Sequence, residues 1–308
     1  MHHLLEHDTA GDPITGLKWS RRTTVKIAAI LTEHGFAISA NTVARLLHEM
    51  DYSLRVNRKQ LATDSSPDRN LQFDYIADLR DHFRRRRLPI VSVDTKKREL
   101  VGNFRNPGAA WDRSARLVND HDFRSDAIGV AIPYGLYEPL ANRGSVVVGV
   151  SHDTPAFAAH AIAWWWQREA LQRYAGCRQL LILADTGGSN GCRCHAWKTE
   201  LQSQLVDAFH LAVTVAHYPA GASKWNPIEH RLFSEISKNW AGEPLDSYQK
   251  ILNFIRTTST QSGLGVSAYL DRRHYPTGIK PTPEQLRLLR LHPHATLPEW
   301  NYTIRPNL

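Results

Sequence analysis

Two aspartates stand where apolar runs end. Leu180–Gly191 reads LLILADTGGSNG, in which the apolar residues Leu180 to Ala184 predict a strand buried on both faces of an α/β sheet, closed by Asp185. Thr186–Gly191 then supplies the glycines, serine and asparagine of a tight strand-to-helix turn. Leu88–Asp94, LPIVSVD, is a second core strand that delivers an aspartate, Asp94. Ligands of open α/β sheets bind outside the carboxyl ends of the strands, so carboxylates there can hold a ligand or a metal ion. Each has an ordinary alternative: Asp185 as a helix cap or the start of an Asx turn, Asp94 as a turn residue.

A third carboxylate lies in Ser223–Trp240, SKWNPIEHRLFSEISKNW. There Asn226 reads as an N-cap, Pro227 as the first helical residue, and Ile228, Leu232, Ile236 and Trp240 as the buried stripe. Glu229 falls at the third helical position, where it completes a capping box and suits the helix dipole. Beside a metal site the same position presents a carboxylate toward the sheet edge, and the two roles are compatible. At Ser151-His152-Asp153 a helix cap, Asp153 or Thr154, is the leading expectation and a metal carboxylate the second. Asp120-His121-Asp122 is expected to be a solvated loop, and Cys192, Cys194 and His195 lack the partner pair of a zinc motif.

Several elements must position these groups. Val146–Val150 is a third strand, followed by a helix from Thr154 to Leu171 with Pro155 at its first position. Trp164, Trp165 and Trp166 cannot share one face of that helix, so two are expected in the core. Cys192–Phe209 is predicted helical and Leu211–His217 a strand. Glu99–Phe104 is expected to form an antiparallel hairpin with Leu88–Asp94, and 105–144, including PYGLYEP, to be a long irregular loop. Beyond Gly242 come a helix over Ser247–Thr258, a Gly-rich link, a Thr282-capped helix and an extended arm, EWNYTIRP, with no chemistry read there.

Upstream, Thr23–His34 predicts a helix with Val25, Ala28, Ala29 and Leu31 inward, ended by Gly35. Ser39 caps a second helix reaching Met50, with Val43, Leu46, Leu47 and Met50 inward. Two short helices about a glycine-containing break resemble a helix-turn-helix, whose second helix enters the major groove. Asn41, Thr42 and Arg45 would then face DNA, and Arg55, Arg58 and Lys59 would hold phosphates; a plain helical hairpin is the alternative. A helix from Asp68 to Arg84, with Leu71, Tyr75, Leu79 and Phe83 as its stripe, runs into four arginines, Arg84–Arg87; such a run is usually a solvated, repelling patch, and before the Leu88–Asp94 strand it could instead steer a DNA backbone.

The 308 residues are 42% hydrophobic, enough for a real core, and the net charge of +8 favours a polyanionic partner. Three cysteines without framework spacing fit a reducing cytoplasm. The chain shows neither a bilayer-length apolar run nor a signal-peptide pattern, so a soluble protein of the cytoplasm is expected.

The order VSVD, strands, LLILAD, helix, strand, NPIEH resembles a ribonuclease-H-like fold, in which the first aspartate ends the first strand, the second ends the fourth, and a glutamate lies on a later helix. KWNPIEHRLFSEI is similar to the NPIE helix of Tc/mariner-like enzymes. More closely, VSVDTKKRELVGNF, PYGLYE, ADTGGSNG, HYPAGASKWNPIEHRLFS and WNYTI resemble the bacterial insertion-sequence family called Rhodopirellula transposase, from Asp8 to Pro306. The chain departs from that pattern at Thr186, where glycine is expected, and in starting near TAGDP, where members carry further DNA-binding helices upstream.

The resemblance implies an α/β fold: a ribonuclease-H-like mixed sheet flanked by helices, with an N-terminal helix-turn-helix. It implies a helix-turn-helix region over 1–60, a linker helix with its basic run over 61–87, a catalytic domain over 88–242 and a C-terminal helical extension over 243–308. Asp94, Asp185 and Glu229 become the acidic triad of a DDE transposase holding two Mg²⁺ or Mn²⁺ ions, Asp94 bridging both, Asp185 on one and Glu229 on the other. Lys96, Lys97 and Lys224 join the DNA-binding residues. The partners implied are double-stranded DNA, as terminal inverted repeats and as target, and further copies of the chain in a dimer or higher assembly near the nucleoid, with no membrane. The alternatives are a truncated or decayed copy that only binds DNA, or another ribonuclease-H-like nuclease.

Overall fold

The computed structural model describes residues 9–11, 18–20, 23–50, 52, 68–109 and 114–307; Arg55, Arg58 and Lys59 lie outside them. The chain divides into two compact units, 1–61 and 62–308.

In the first unit β1 (Thr9–Gly11) pairs antiparallel with β2 (Lys18–Ser20), followed by α1 (Thr24–Glu33) and α2 (Ala40–Glu49). Thr23 and Ser39 cap the helices, each hydroxyl accepting from the amide three residues on. Gly35 ends α1 in the left-handed region (φ 88°), which lets the Phe36 amide reach the Leu31 carbonyl. Ile27, Ala28, Leu31 and Val43 form the small core. Val25 and Ala29, expected inward, are exposed, and Ile27 takes the buried place. Asn41 and Arg45 are exposed; Arg45 lies 3.8 Å from Glu49, and Thr42 packs its hydroxyl on the Ser39 cap.

The second unit runs α3 (Arg69–Arg85), β3 (Ile90–Thr95), β4 (Glu99–Val101), β5 (Gly129–Glu138), β6 (Arg143–Gly149), α4 (Pro155–Trp165) and β7 (Gln179–Asp185). It continues through α5 (His195–Leu201), β8 (Ala212–Tyr218), α6 (227–239, opening in a wide π turn over Glu229–Phe233) and α7 (Tyr248–Arg256). β9 (Gly265–Asp271), α8 (Pro283–Leu288), β10 (Leu291–Pro293) and β11 (Asn301–Ile304) complete it. The nine strands form one mixed sheet in the order β10-β11-β8-β7-β3-β5-β6-β9, with β4 paired to β5. β3, β7 and β8 are parallel neighbours, while β5 and β6 meander antiparallel from β3, which is the ribonuclease-H-like arrangement.

Both faces of the sheet are covered. Leu180, Ile182 and Ala184 pack with α4 and α5 on one side; Leu181 and Leu183 pack with Ile76 and Phe83 of α3 on the other. That two-sided burial is why β7 reads as an unbroken apolar run. α6 and α7 cover β5, β6 and β9 on the α3 side. Trp165 and Trp166 are buried, and Trp164 instead meets Tyr269 of β9, ring to ring at 3.9 Å. Among the described residues no helix is long and apolar enough to cross a membrane.

Several expectations are corrected. β3 and β4 form no hairpin: both pair with β5, and Lys96–Arg98 bulges between them as the Lys96 amide donates to the Pro133 carbonyl at 2.9 Å. The loop expected over 105–144 therefore contains the ten-residue strand β5. On α3 the buried positions are Gln72, Ile76 and Phe83, and Leu71 is exposed. The helix after β7 starts at His195, not Cys192. Residues 243–308 are no helical extension, since β9, β10 and β11 enter the sheet. The arm EWNYTIRP holds β11, whose pairing with β8 satisfies backbone groups the edge of β8 would otherwise leave open.

Candidate active site

The register of the central strands brings two of the three carboxylates together. Ile90 lies opposite Leu181 and Ser92 opposite Leu183; two more residues of this parallel pairing put Asp94 beside Asp185, on one face at one level. On the other side Asp94 pairs with Gly135 of β5. A Cβ on Gly135 would stand 2.4 Å from the Phe233 ring and 2.9 Å from Ile228, and one on Gly144 would stand 2.5 Å from Leu232. The two glycines let α6 lie directly on the sheet next to Asp94, and Glu229, in the first turn of α6, comes within hydrogen-bonding reach of the Asp94 carboxyl.

Asn226 locks this arrangement, in a role other than the helix cap its spacing predicts. Its fully buried side chain turns into the sheet. Its Nδ2 donates to Asp185 Oδ1 at 3.1 Å and to the Val93 carbonyl at 3.4 Å, while Oδ1 accepts from the buried Ser92 hydroxyl. One amide thus ties the start of α6 to both strands that carry aspartates. The helix cap expected at Asp153 or Thr154 falls on Thr154, whose hydroxyl accepts from the Phe157 amide at 3.3 Å. Asp153 is left facing the site, accepting from the Thr95 hydroxyl at 3.2 Å.

Asp94, Asp153 and Asp185, with Ser189 and Asn190 of the turn after β7, line a cavity of about 390 Å³. A second cavity, about 560 Å³, is lined by Glu229 together with Lys96, Lys97 and Lys224. Lys97 and Lys224 are exposed. Lys96 is not free for a ligand: it is 9% exposed, pairs with Glu99 at 3.2 Å and sits over the Trp240 ring at 4.6 Å. Asp120, His121 and Asp122 line neither cavity.

Burial and then the neighbouring Asp185 charge raise Asp94 to about 8, with Glu229 adding to the rise against an opposing bond from the Thr95 amide. Burial raises Asp185 as well, and the Asn226 bond draws it back. Behind Asp185, burial lowers His217 to about 4 and keeps it neutral. A neutral ring completes a chain in which Trp197 Nε1 donates to the Tyr302 hydroxyl, that hydroxyl to His217 Nε2, and His217 Nδ1 to the Asp185 carbonyl, at 3.1, 3.2 and 2.9 Å. The terminal WNYTI segment thereby supports the central aspartate, a role with no signal in its own sequence.

Among the described residues no three His, Cys, Asp or Glu side chains already close around one metal-sized point. The donor set nevertheless suits hard divalent cations: carboxylate oxygens only, crowded enough to hold a proton on Asp94, beside the buried Ser189 hydroxyl, which has no partner among the described residues. Asp94, Asp185 and Glu229 are the residues that could hold Mg²⁺ or Mn²⁺.

The family model described as Rhodopirellula transposase DDE domain matches residues 1–306. No curated protein sequence matches the chain. Among solved structures, the Mos1 transposase paired-end complex with left transposon end is 16% identical, covering 82% of this chain and 68% of that one with a TM-score of 0.45. A pre-cleavage Mos1 transpososome is 15% identical, with the same coverages and TM-score. The mariner Mos1 paired end complex with Mg is 14% identical over 80% of this chain and 73% of that one, with a TM-score of 0.44. With the family model spanning nearly its whole length, the chain belongs to the Rhodopirellula transposase DDE domain family.

Proposed function

We propose that this transposase cleaves DNA at the ends of an insertion sequence and joins the freed 3′ ends to target DNA. The observation that carries this reading is the gathering of Asp94, Asp185 and Glu229 from β3, β7 and α6 onto one edge of the sheet. Two Mg²⁺ or Mn²⁺ ions, when bound, would stabilise both the attacking and the leaving oxygen of a phosphoryl displacement. Asp94, which interacts with both other carboxylates, would bridge the ions, with Asp185 holding one and Glu229 the other.

In the first step a water oxygen attacks phosphorus and the bond to the 3′ oxygen breaks, leaving a 3′ hydroxyl and a 5′ phosphate. In the second, that hydroxyl attacks a target phosphate and displaces the target's own 3′ oxygen, so one ester replaces another. Asn226 holds Asp185 in register through both steps, and the His217–Tyr302–Trp197 chain fixes the backbone behind it. Lys97 and Lys224 would pair with phosphates flanking the reacting one, and Asn41, Thr42 and Arg45 of α2 would read the terminal repeats. Double-stranded DNA, a dimer or larger assembly on it, and a place at the nucleoid in the cytoplasm belong to this reading.

The test is cleavage of a labelled fragment carrying the element's own ends in Mg²⁺, Mn²⁺ or EDTA, with wild type beside Asp185→Asn. Metal-dependent nicking at the ends, lost in the variant, is the expected result. Tight binding without nicking in either metal would overturn the proposal and leave a DNA-binding remnant. Preferential cutting of RNA–DNA hybrids or branched DNA would point to another nuclease.

A further inference from the structure

The residue before Asn226 is a tryptophan that the core does not use. Trp225 is 58% exposed, yet it is firmly mounted. Its amide donates to the Ala222 carbonyl at 2.8 Å, closing the short turn before α6. Phe73 of α3 meets the indole edge-on at 5.7 Å and itself leans on Tyr218 at 6.3 Å. The surroundings are cationic. Lys224 Nζ lies 5.7 Å from the indole centroid, and the Arg69 guanidinium 5.6 Å from the Phe73 ring. Among the described residues no carboxylate pairs with Lys224, and this lysine also lines the cavity that holds Glu229 and Lys97.

We propose that Trp225 is a stacking platform for an unpaired base of the DNA strand presented to Asp94, Asp185 and Glu229. This inference rests on the DNA-processing reading above. A fixed aromatic ring flanked by cations suits one nucleotide: every base has a π face for the indole, and its own phosphate lies one sugar away, within reach of a lysine. Lys224 now covers the ring as a cation–π partner and would move to that phosphate. Cationic surroundings fit a nucleic acid better than an apolar protein surface. The chain connectivity gives the contact its use. Asn226, which holds Asp185, follows immediately, and Glu229 comes four residues on, so a base stacked on Trp225 would register the strand against both carboxylates.

The experiment measures binding in Ca²⁺, without cleavage, of a blunt duplex and of the same duplex with a single-stranded overhang containing 2-aminopurine. Wild type should bind the overhang more tightly and quench the probe. Trp225→Ala should weaken overhang binding roughly 5- to 150-fold and abolish the quench, with blunt-duplex affinity unchanged. Trp225→Tyr should retain most of both, whereas Trp225→Leu, which keeps apolar packing on Phe73, should lose both. Wild-type overhang binding and quench in Trp225→Ala or Trp225→Leu would overturn the proposal. So would a variant that changes only the oligomeric state, which would mark the ring as a protein contact. Stacking intact in a wild type that never nicks DNA would sink the cleavage reading and leave this one standing.

Discussion

Replacing Asn226 with alanine should cost far more than removing a helix cap. A capping side chain is worth about 1 kcal/mol. The bond from Asn226 Nδ2 to Asp185, a bond to a charged group, is worth about 1.5–3 kcal/mol. The buried Ser92 hydroxyl and Val93 carbonyl also lose their partner, at about 1–3 kcal/mol for each group left unsatisfied. Allowing for rotation of the hydroxyl, a loss of about 3–6 kcal/mol is expected, a large share of the roughly 5–15 kcal/mol of a typical domain. Urea unfolding in EDTA, read from the midpoint at constant slope, measures it. The same change has an electrostatic consequence. The Asn226 bond lowers Asp185, so without it Asp185 holds its proton to higher pH, and stabilisation by Mg²⁺, which needs the ionised carboxylate, should begin at higher pH. A loss near 1 kcal/mol together with an unmoved pH onset would refute the reasoning and restore the capping role.

Asp94 is raised from its ordinary 3.8 to about 8, so the folded protein binds more protons than the unfolded chain between those values. This group's contribution to stability without metal therefore falls as pH rises through that window; Asp94→Asn should flatten the decline of Tm measured in EDTA and also remove stabilisation by Mg²⁺. Gly135→Ala should destabilise by about 1–3 kcal/mol, because its Cβ meets the Phe233 ring, and should lower cleavage as α6 is displaced; unchanged Tm and rate would show that α6 can give way. Glu229→Ala should abolish cleavage while repeat binding in a gel-shift assay stays at wild-type level, and full cleavage would return Glu229 to a capping role. Tyr302→Phe should cost about 2–4 kcal/mol in urea, because the Trp197 Nε1 donor and the His217 Nε2 acceptor both lose the hydroxyl while the ring stays packed; no loss would remove the chain behind Asp185 from the account.

The chain by itself determined the elements whose local chemistry is complete. A parallel strand buried on both faces must be apolar throughout, so β7 and β3 were legible together with the aspartates near their ends. Capping by Ser39 and Thr282 was equally local. Tertiary structure alone decided the rest. Pro133 and Gly135 give β5 the look of a turn, yet Gly135 is needed where α6 presses against the sheet beside Asp94. Asn226 has the spacing of a helix cap, and only the neighbouring strands, with their buried acceptors and the Ser92 hydroxyl, draw its amide away. β9, at one edge of the sheet, and β11, between β10 and β8, are completed by partners distant in sequence. The candidate triad was legible as residue types at strand and helix ends. Its closeness depends on strand register and on two missing Cβ atoms, both properties of the packed sheet rather than of any one segment.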